Sequence, residues 1–178
     1  MNTRISLVAA LLLSLSNAGH ADPGAFNDVE EKPEVAWKED DFAFPPLPKE
    51  ENLVEYYVSA TARAKYYIDW TSILTGSADQ VVRYVTVVKT DGGARNVSFE
   101  GVRCDTSETR LYATANSEGV WSKARRSEWR RVNQERSPQQ YSLNYLYFCP
   151  DFMPIKTREE GRSALQNGGH PLVKQRYY

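Results

Sequence analysis

No apolar run in the 178 residues is long enough to cross a bilayer. The longest, residues 5–15, has about eleven residues, whereas a transmembrane helix needs about twenty. Arg4 precedes this run, and small and polar residues ending in Gly19-His20-Ala21 follow it, which is the order of a secretory signal peptide. We predict that residues 1–21 are a signal peptide and that the mature chain is exported to the periplasm. An N-terminal helix that is retained is the alternative.

Histidine is nearly absent. If residues 1–21 are removed, His20 goes with them, and His170 is the one histidine left. Catalytic sites that combine a histidine with another histidine, and metal sites built from several imidazoles, are therefore disfavoured. The glycines beside His170 do not suggest the rigid setting that the base of a catalytic triad needs. We expect no metal site, no cofactor and no catalytic residue that can be named.

Cysteine is equally scarce, with only Cys104 and Cys149. In an exported protein, such a pair is expected to form a disulfide. The bridge would close a loop of about 45 residues and stabilise the fold by about 4 kcal/mol in the chain-entropy description. Catalytic or metal-binding thiols are the alternative, although no Cys-x-x-Cys spacing supports redox chemistry.

Charge is distributed unevenly along the chain. Residues 22–55 carry 11 acids and 3 lysines, a net charge of −8, whereas residues 56–178 carry 18 basic and 12 acidic residues, a net charge of +6. Residues 22–52 are acidic, contain prolines and have few apolar side chains, so we predict a mobile, extended arm. Phe42, Phe44 and Leu47 are expected to pin part of the arm to the domain, with its acids over the basic face. A proline-recognising partner is the alternative role.

A long β-hairpin lies at the centre of the sequence. The β-branched and aromatic residues 81–88, the Asp91-Gly92-Gly93 turn and the return strand that ends at Cys104 predict two antiparallel strands. Turn residues recur about every eight to twelve positions, which indicates an antiparallel meander. The other predicted strands are residues 53–60, 65–71, 110–114, 120–121 and 129–132.

The pattern becomes helical after residue 137. Ser137-Pro138 is a helix start, and Tyr141, Tyr145 and Phe148 follow at helical spacing. We predict a helix over residues 138–148, although a strand is the alternative because tyrosine suits both.

A second short helix is predicted to begin at Thr157, since Glu160 completes a capping box, and to stop at Gly168-Gly169. The last residues are predicted to be a tail. The predicted fold is α+β: an antiparallel β-sheet meander with a C-terminal helix packed on it and one disulfide. Its domain spans residues 53–150, followed by an extension over residues 151–178.

The densest basic run is residues 123–131. Trp121 lies just before this run, and Trp129 lies within it. Arginines interleaved with aromatic residues suit phosphates, stacked bases or anionic lipid and glycan surfaces. A solvated edge strand whose arginines discourage aggregation is the alternative. Nucleic acid is an unexpected partner after export. The candidate binding surface consists of Arg125, Arg126, Trp129, Arg130 and Arg131.

Catalysis by carboxylates alone remains open after the histidine argument. Four acids of the predicted domain are candidates, but no recognisable motif pairs them, and a role in a turn or a salt bridge is favoured for each over catalysis. These acids are Asp69, Glu100, Asp105 and Glu118.

Several short motifs resemble the CNP1-like family of small exported proteins of Gram-negative bacteria, over roughly residues 37–150. They are Arg83-Tyr84, Gly93-Ala94-Arg95-Asn96-Val97-Ser98, Glu100-Gly101-Val102-Arg103-Cys104, Leu111-Tyr112-Ala113, Gly119-Val120-Trp121, Trp129 and Tyr147-Phe148-Cys149. The resemblance implies an exported envelope domain to whose motif both cysteines belong. It assigns no activity and no catalytic residues.

Three hypotheses for function follow. The first is a non-enzymatic binding or accessory module of the envelope, whose basic surface binds an anionic envelope component or an envelope protein. The second is a carboxylate-dependent hydrolase acting on an envelope glycan or phosphodiester. The third is a structural accessory protein whose acidic arm recruits a partner, so that deleting residues 22–48 would remove the partner and leave the domain folded.

Overall fold

The computed structural model describes residues 36–177. The predicted signal peptide, residues 1–21, and the first part of the predicted arm, residues 22–35, lie outside the described residues. Among the helices of the described part, none combines the length and the apolar character needed to cross a membrane.

In the described residues, seven strands form a single antiparallel sheet. Strands β1 to β6 lie side by side in chain order. Strand β5 has two partners on its outer edge, because β7 pairs with its first residues and β6 with its last. The predicted meander is therefore confirmed. The strands are β1 Leu53–Tyr56, β2 Ala64–Thr75, β3 Val81–Thr90, β4 Arg95–Arg103, β5 Glu108–Ala115, β6 Trp121–Lys123 and β7 Arg130–Arg131.

The central hairpin is β3 and β4. At its turn, the Thr90 amide donates to the Ala94 carbonyl over 3.0 Å, and Gly93 has a φ of 83°, which a residue with a side chain rarely adopts. The register pairs Val87 with Val97 and Val81 with Arg103. Strand β3 is buried from Val81 to Val87 without interruption, because both faces of the sheet are covered at this point.

Helices follow the last strand, as predicted. Helix α1, Pro138–Ser142, continues directly as a π-helical segment, Leu143–Phe148. Helix α2, Arg158–Gln166, begins with the predicted cap, in which the Glu160 amide donates to the Thr157 hydroxyl over 3.1 Å. The prediction of a terminal tail differs from the structure, because Pro171–Tyr177 forms a third helix, α3.

One face of the sheet packs against these helices. Alternate residues of β3, such as Val82 and Tyr84, point to this side and meet residues of the π-helical segment and α2. The Cys104–Cys149 disulfide joins the end of β4 to the end of the π-helical segment, so the predicted bridge is confirmed. The centre of this core comprises Tyr56, Ile68, Ile73, Val82, Tyr84, Val102, Leu143, Tyr147, Phe148, Ile155 and Leu165.

The opposite face is covered by the N-terminal segment, which we define as residues 37–48. Phe42 and Phe44 pack on a second apolar cluster that includes Val85, Val87 and Phe99. The sequence predicts a mobile arm over residues 22–52 that Phe42, Phe44 and Leu47 pin in part to the domain. In the structure, residues 37–48 are extended, without regular secondary structure, and docked on the sheet. The physical reason is that this face of β3 and β4 is apolar and would otherwise be open to water.

We predict that replacing both cysteines by serine lowers the free energy of unfolding by about 4 kcal/mol, since the bridge closes a loop with a sequence separation of 45. Urea denaturation of the oxidised wild type, the reduced wild type and the double variant measures the loss. The reduced wild type should resemble the variant. Equal stability of the oxidised and reduced forms would contradict the prediction.

Candidate functional site

The candidate basic surface lies at the outer edge of the sheet, in β7 and in the connection that leads to it from β6. Arg125, Arg126, Arg130 and Arg131 are all exposed there. Arg130 pairs with Glu128 over 2.9 Å, with both side chains more than 60% exposed. Within residues 123–131, Glu128 is the one acid among five cationic residues, so the edge keeps a strong positive charge.

Trp129 belongs to the same run but has a different role. Its ring packs edge-on against Trp37 and Tyr112, with centroids 6.0 and 6.4 Å away. The Arg103 guanidinium stacks over the neighbouring Trp37 ring at 3.9 Å. Trp129 is thus half-buried in packing against the N-terminal segment, and the part of the candidate surface that faces solvent is formed by the arginines.

A buried ion network lies on the same face of the sheet, near this edge. Arg83 projects from the middle of β3 and is only 1% exposed. Its guanidinium contacts the carboxylates of Asp79, in the turn before β3, and of Glu39, in the N-terminal segment, the latter over 3.1 Å. The Glu39 carboxylate also accepts hydrogen bonds from Arg110 and from the Tyr112 hydroxyl, both on β5. One carboxylate of the N-terminal segment therefore joins side chains from β3 and β5.

Asp79 is fixed from several directions. Its carboxylate accepts hydrogen bonds from the amides of Val81, over 3.0 Å, and Asp40, over 2.8 Å. In return, the Asp40 carboxylate accepts from the Ala78 amide over 3.2 Å. Burial alone would raise the pKa of Asp79, but the hydrogen bonds from Arg83 and the Val81 amide outweigh burial, so the pKa lies below its ordinary value. Asp79 is thus held as an anion beside Arg83.

The network is completed by stacking. The Arg83 guanidinium lies 4.5 Å from the centroid of the Phe42 ring, which itself contacts Tyr112 at 4.6 Å. Burial, followed by the hydrogen bond to Glu39, raises the pKa of Tyr112, which keeps its hydroxyl protonated and able to donate. Tyr112 needs Gly101 beside it, because a Cβ at that position would lie 2.5 Å from the Tyr112 hydroxyl oxygen.

Two indole groups fasten the ends of the N-terminal segment. Trp37 Nε1 donates to the Asp79 carbonyl over 3.1 Å, and Trp121 Nε1 donates to the Pro45 carbonyl over 2.8 Å. These contacts argue against the hypothesis that residues 22–48 can be deleted without loss of the fold. Removing residues 37–48 would expose an apolar face and leave Arg83 with one carboxylate fewer.

The four carboxylates considered for catalysis lie in four different places. Asp69 sits in an irregular part of β2 and accepts from the Thr71 amide and hydroxyl, over 3.0 and 2.6 Å. Asp105 and Glu118 are exposed near turns. Glu100 is enclosed in the helix-side core. The arrangement therefore does not bring these four acids together as an acid–base pair.

Glu100, like Asp69, is buried, and it lies on β4. The Ser98 hydroxyl donates to its Oε1 over 2.7 Å, and Gln140 Nε2 of α1 donates to its Oε2 over 3.0 Å. Burial raises the pKa of Glu100, and these hydrogen bonds offset only part of the effect. Glu100 thus connects the sheet to α1 through a buried carboxyl group.

His170 is also more ordered than the sequence indicates. It is buried at the start of α3, where its Nε2 lies 3.0 Å from Glu160 Oε1 and its Nδ1 accepts from the Leu172 amide over 3.3 Å. The ring therefore links α2 to α3. In the part of the chain that the structure describes, there is no cluster of three or more His, Cys, Asp or Glu residues that could hold a metal ion.

A family model matches residues 32–166, which is more than half of the chain and includes both the N-terminal segment and α2. The chain belongs to the CNP1-like family. No curated protein and no solved structure is significantly similar to it. The match extends past residue 150, where the motif resemblance in the sequence ends, so the CNP1-like domain includes the beginning of the C-terminal extension.

Sequence reasoning identified the exposed arginines but missed the buried network of the CNP1-like domain. A signal for Arg83 existed, because a charged residue among Val81, Val85 and Val87 on one side of a central strand needs a buried partner. Its partner Glu39 lies 44 positions away in an acidic stretch of similar residues, so the sequence offers no way to select it.

We predict that Arg83→Met lowers the free energy of unfolding of the CNP1-like domain by about 3–5 kcal/mol, because the buried Asp79 carboxylate loses its counter-ion. Urea denaturation gives the value. Arg130→Met, which breaks an exposed pair, is the matched control and should change stability far less. Similar losses in the two variants would show that the network does not stabilise the fold.

We predict that Glu100→Gln gains stability relative to the wild type as pH rises. Glu100 has a raised pKa in the folded state, so the wild type is favoured most below the ordinary carboxyl pKa near 4.5 and loses that contribution as pH rises through the folded value. Urea denaturation between acid and neutral pH tests this, with the exposed Glu118→Gln as the reference. A stability difference that does not change with pH would contradict the prediction.

Proposed function

We propose that the chain is an exported, non-enzymatic binding or accessory module of the cell envelope, which acts in the periplasm. The predicted signal peptide supports this location. The disulfide Cys104–Cys149 is consistent with an oxidising compartment outside the cytoplasm. The buried positions of Arg83, Asp79 and Glu100 also support a binding role over a catalytic one, because these charged groups are engaged within the fold.

The exposed arginine edge is the proposed binding surface, and its excess of positive charge is the observation that carries the proposal. Arg125, Arg126, Arg130 and Arg131 lie in a stretch of nine residues that contains one acid. Within this stretch, Trp129 is packed against Trp37 and Tyr112, and this contact fixes the backbone at one point. The arginines are therefore presented from a structured edge of the sheet.

An anionic envelope component, or an acidic face of an envelope protein, is the partner that this surface fits. Guanidinium groups donate paired hydrogen bonds to phosphate and carboxylate oxygens, and several of them on one edge attract a surface of such groups more strongly than a single anion. Nucleic acid is an unexpected partner in the periplasm. The proposal assigns no cofactor and no catalytic residue.

The test is a variant in which the four arginines are replaced by glutamate, compared with the wild type. We expect co-purification with cross-linking from native envelopes to recover a partner with the wild type and to lose it with the variant. Raising the salt concentration should release the wild-type partner, since the attraction is screened. If each of the four arginines contributes about 1 kcal/mol, their loss lowers the affinity by about a thousandfold.

A matched control reverses four other exposed cations, Lys49, Arg63, Lys65 and Lys156. It produces the same change in net charge while leaving the edge intact, so it should retain the partner. Recovery of the same partner by the four-arginine variant would rule out this surface. Loss of the partner in both variants would show that net charge, and not the arginine edge, governs binding.

A further inference from the structure

A cleft of about 800 Å³ opens on the helix side of the molecule, and its lining includes none of the four arginines of the arginine edge. Its volume falls within the range of sites that hold small ligands, about 300–1,000 Å³. The connection from β1 to β2 supplies one wall, including Ser59 and Thr61. Helix α1 with its π-helical continuation, together with the turn after Cys149, supplies the other.

Three aromatic rings form a shelf in this cleft. Tyr141 and Tyr145 lie one helical turn apart, with centroids separated by 4.4 Å, and the Phe152 ring meets Tyr145 edge-on at 6.5 Å. Phe152 is 57% exposed. A phenylalanine with that exposure adds little to the core, and its ring is accessible to a ligand beside the two tyrosines.

The backbone that presents Phe152 is strained. Asp151 and Phe152 have φ values of 56° and 60°, in the left-handed region that residues with a side chain rarely adopt. Each such residue costs on the order of 1–3 kcal/mol, and such strain is concentrated at functional sites. The adjacent π-helical segment is a second feature frequently found at such sites. Both features lie at the same cleft.

The walls of the cleft are rigidly connected. The Ser142 hydroxyl donates to the Tyr57 carbonyl over 2.8 Å, and the Tyr147 hydroxyl exchanges hydrogen bonds with the Tyr57 carbonyl and amide, over 3.2 and 3.1 Å. The disulfide at Cys149 holds the base of the second wall. Because the site is already ordered, a ligand would not have to supply the free energy of arranging it.

The polar groups at the rim select the class of ligand. Ser59 and Thr61 offer hydroxyls that both donate and accept, and Gln134 adds an amide. Among the described residues that line the cleft there is no lysine, arginine or histidine, so the lining offers no cationic side chain to an anion. A sugar without charge has hydroxyls for the rim and flat C–H faces for the aromatic shelf.

We propose that this cleft binds a neutral oligosaccharide, with Tyr141, Tyr145 and Phe152 stacking on its sugar rings. The site is separate from the arginine edge and does not depend on the function proposed for that edge. It selects neutral ligands, whereas the arginine edge selects anions.

Saturation-transfer difference NMR on the intact chain tests the proposal, with cellotetraose, maltotetraose and chitotetraose as probes at up to about 5 mM, since affinities for such ligands reach the millimolar range. We expect transfer to the sugar-ring protons of at least one probe. Phe152→Ala, which alters an exposed residue, and Tyr145→Ala should each weaken that affinity at least tenfold.

Leu74→Ala is the matched control, because Leu74 is also an exposed apolar residue, at 52%, and does not line the cleft. It should bind like the wild type. Circular dichroism confirms that each variant is folded. The proposal is overturned if none of the three oligosaccharides shows transfer, or if Phe152→Ala binds as well as Leu74→Ala. Binding of a proline-rich peptide in place of the sugars, lost in Phe152→Ala, would also overturn it.

Discussion

The charge of Arg83 has to be neutralised inside the sheet, and much of the structure is arranged around that requirement. A guanidinium in the middle of the central strand cannot be left without partners, because an uncompensated charge in the interior costs several kcal/mol. Asp79 meets part of the need from the turn immediately before β3. Glu39 meets the rest from outside the sheet and draws Arg110 and Tyr112 of β5 into the same network. Gly101 leaves room for Tyr112, because it has no side chain that would collide with the Tyr112 hydroxyl.

This arrangement explains why both faces of the sheet are covered by different means. The helix side is a conventional apolar core, to which the disulfide adds a covalent connection. On the other side, the cover is a single extended segment with no backbone ladder to hold it. Aromatic stacking of Phe42 and Phe44, two indole hydrogen bonds and the ion network substitute for that ladder. The segment is therefore specified by side chains.

The fold was largely predictable from the sequence because its signals are local. The β-branched run, the Gly93 turn and the Thr157 cap each depend on residues only a few positions apart, and the structure has all three. Two cysteines left a single pairing. Helix α3 was not predicted, because the two glycines before it indicate the end of a helix and the start of a tail. The contact of the buried His170 with Glu160 depends on the folded arrangement of α2 and α3.

The sites were less predictable. The exposure of the arginines was predictable from the sequence, since the side chains of a dense basic run must stay in contact with solvent. Tyr141 and Tyr145 look like core residues at helical spacing, and nothing in the sequence shows that the backbone at Asp151 turns Phe152 outward beside them. Partners far apart in sequence, such as Glu39 and Tyr112, are fixed only by the completed fold.

The separation of those partners sets the order in which the molecule can assemble. Glu39 lies 71 and 73 positions before Arg110 and Tyr112, so it leaves the ribosome long before the strand that receives it. Contacts across such distances require the closure of long loops, which slows folding. We therefore expect the N-terminal segment to dock after β3, β4 and β5 have aligned. The first part of the folded unit to be synthesised would then be among the last to become native.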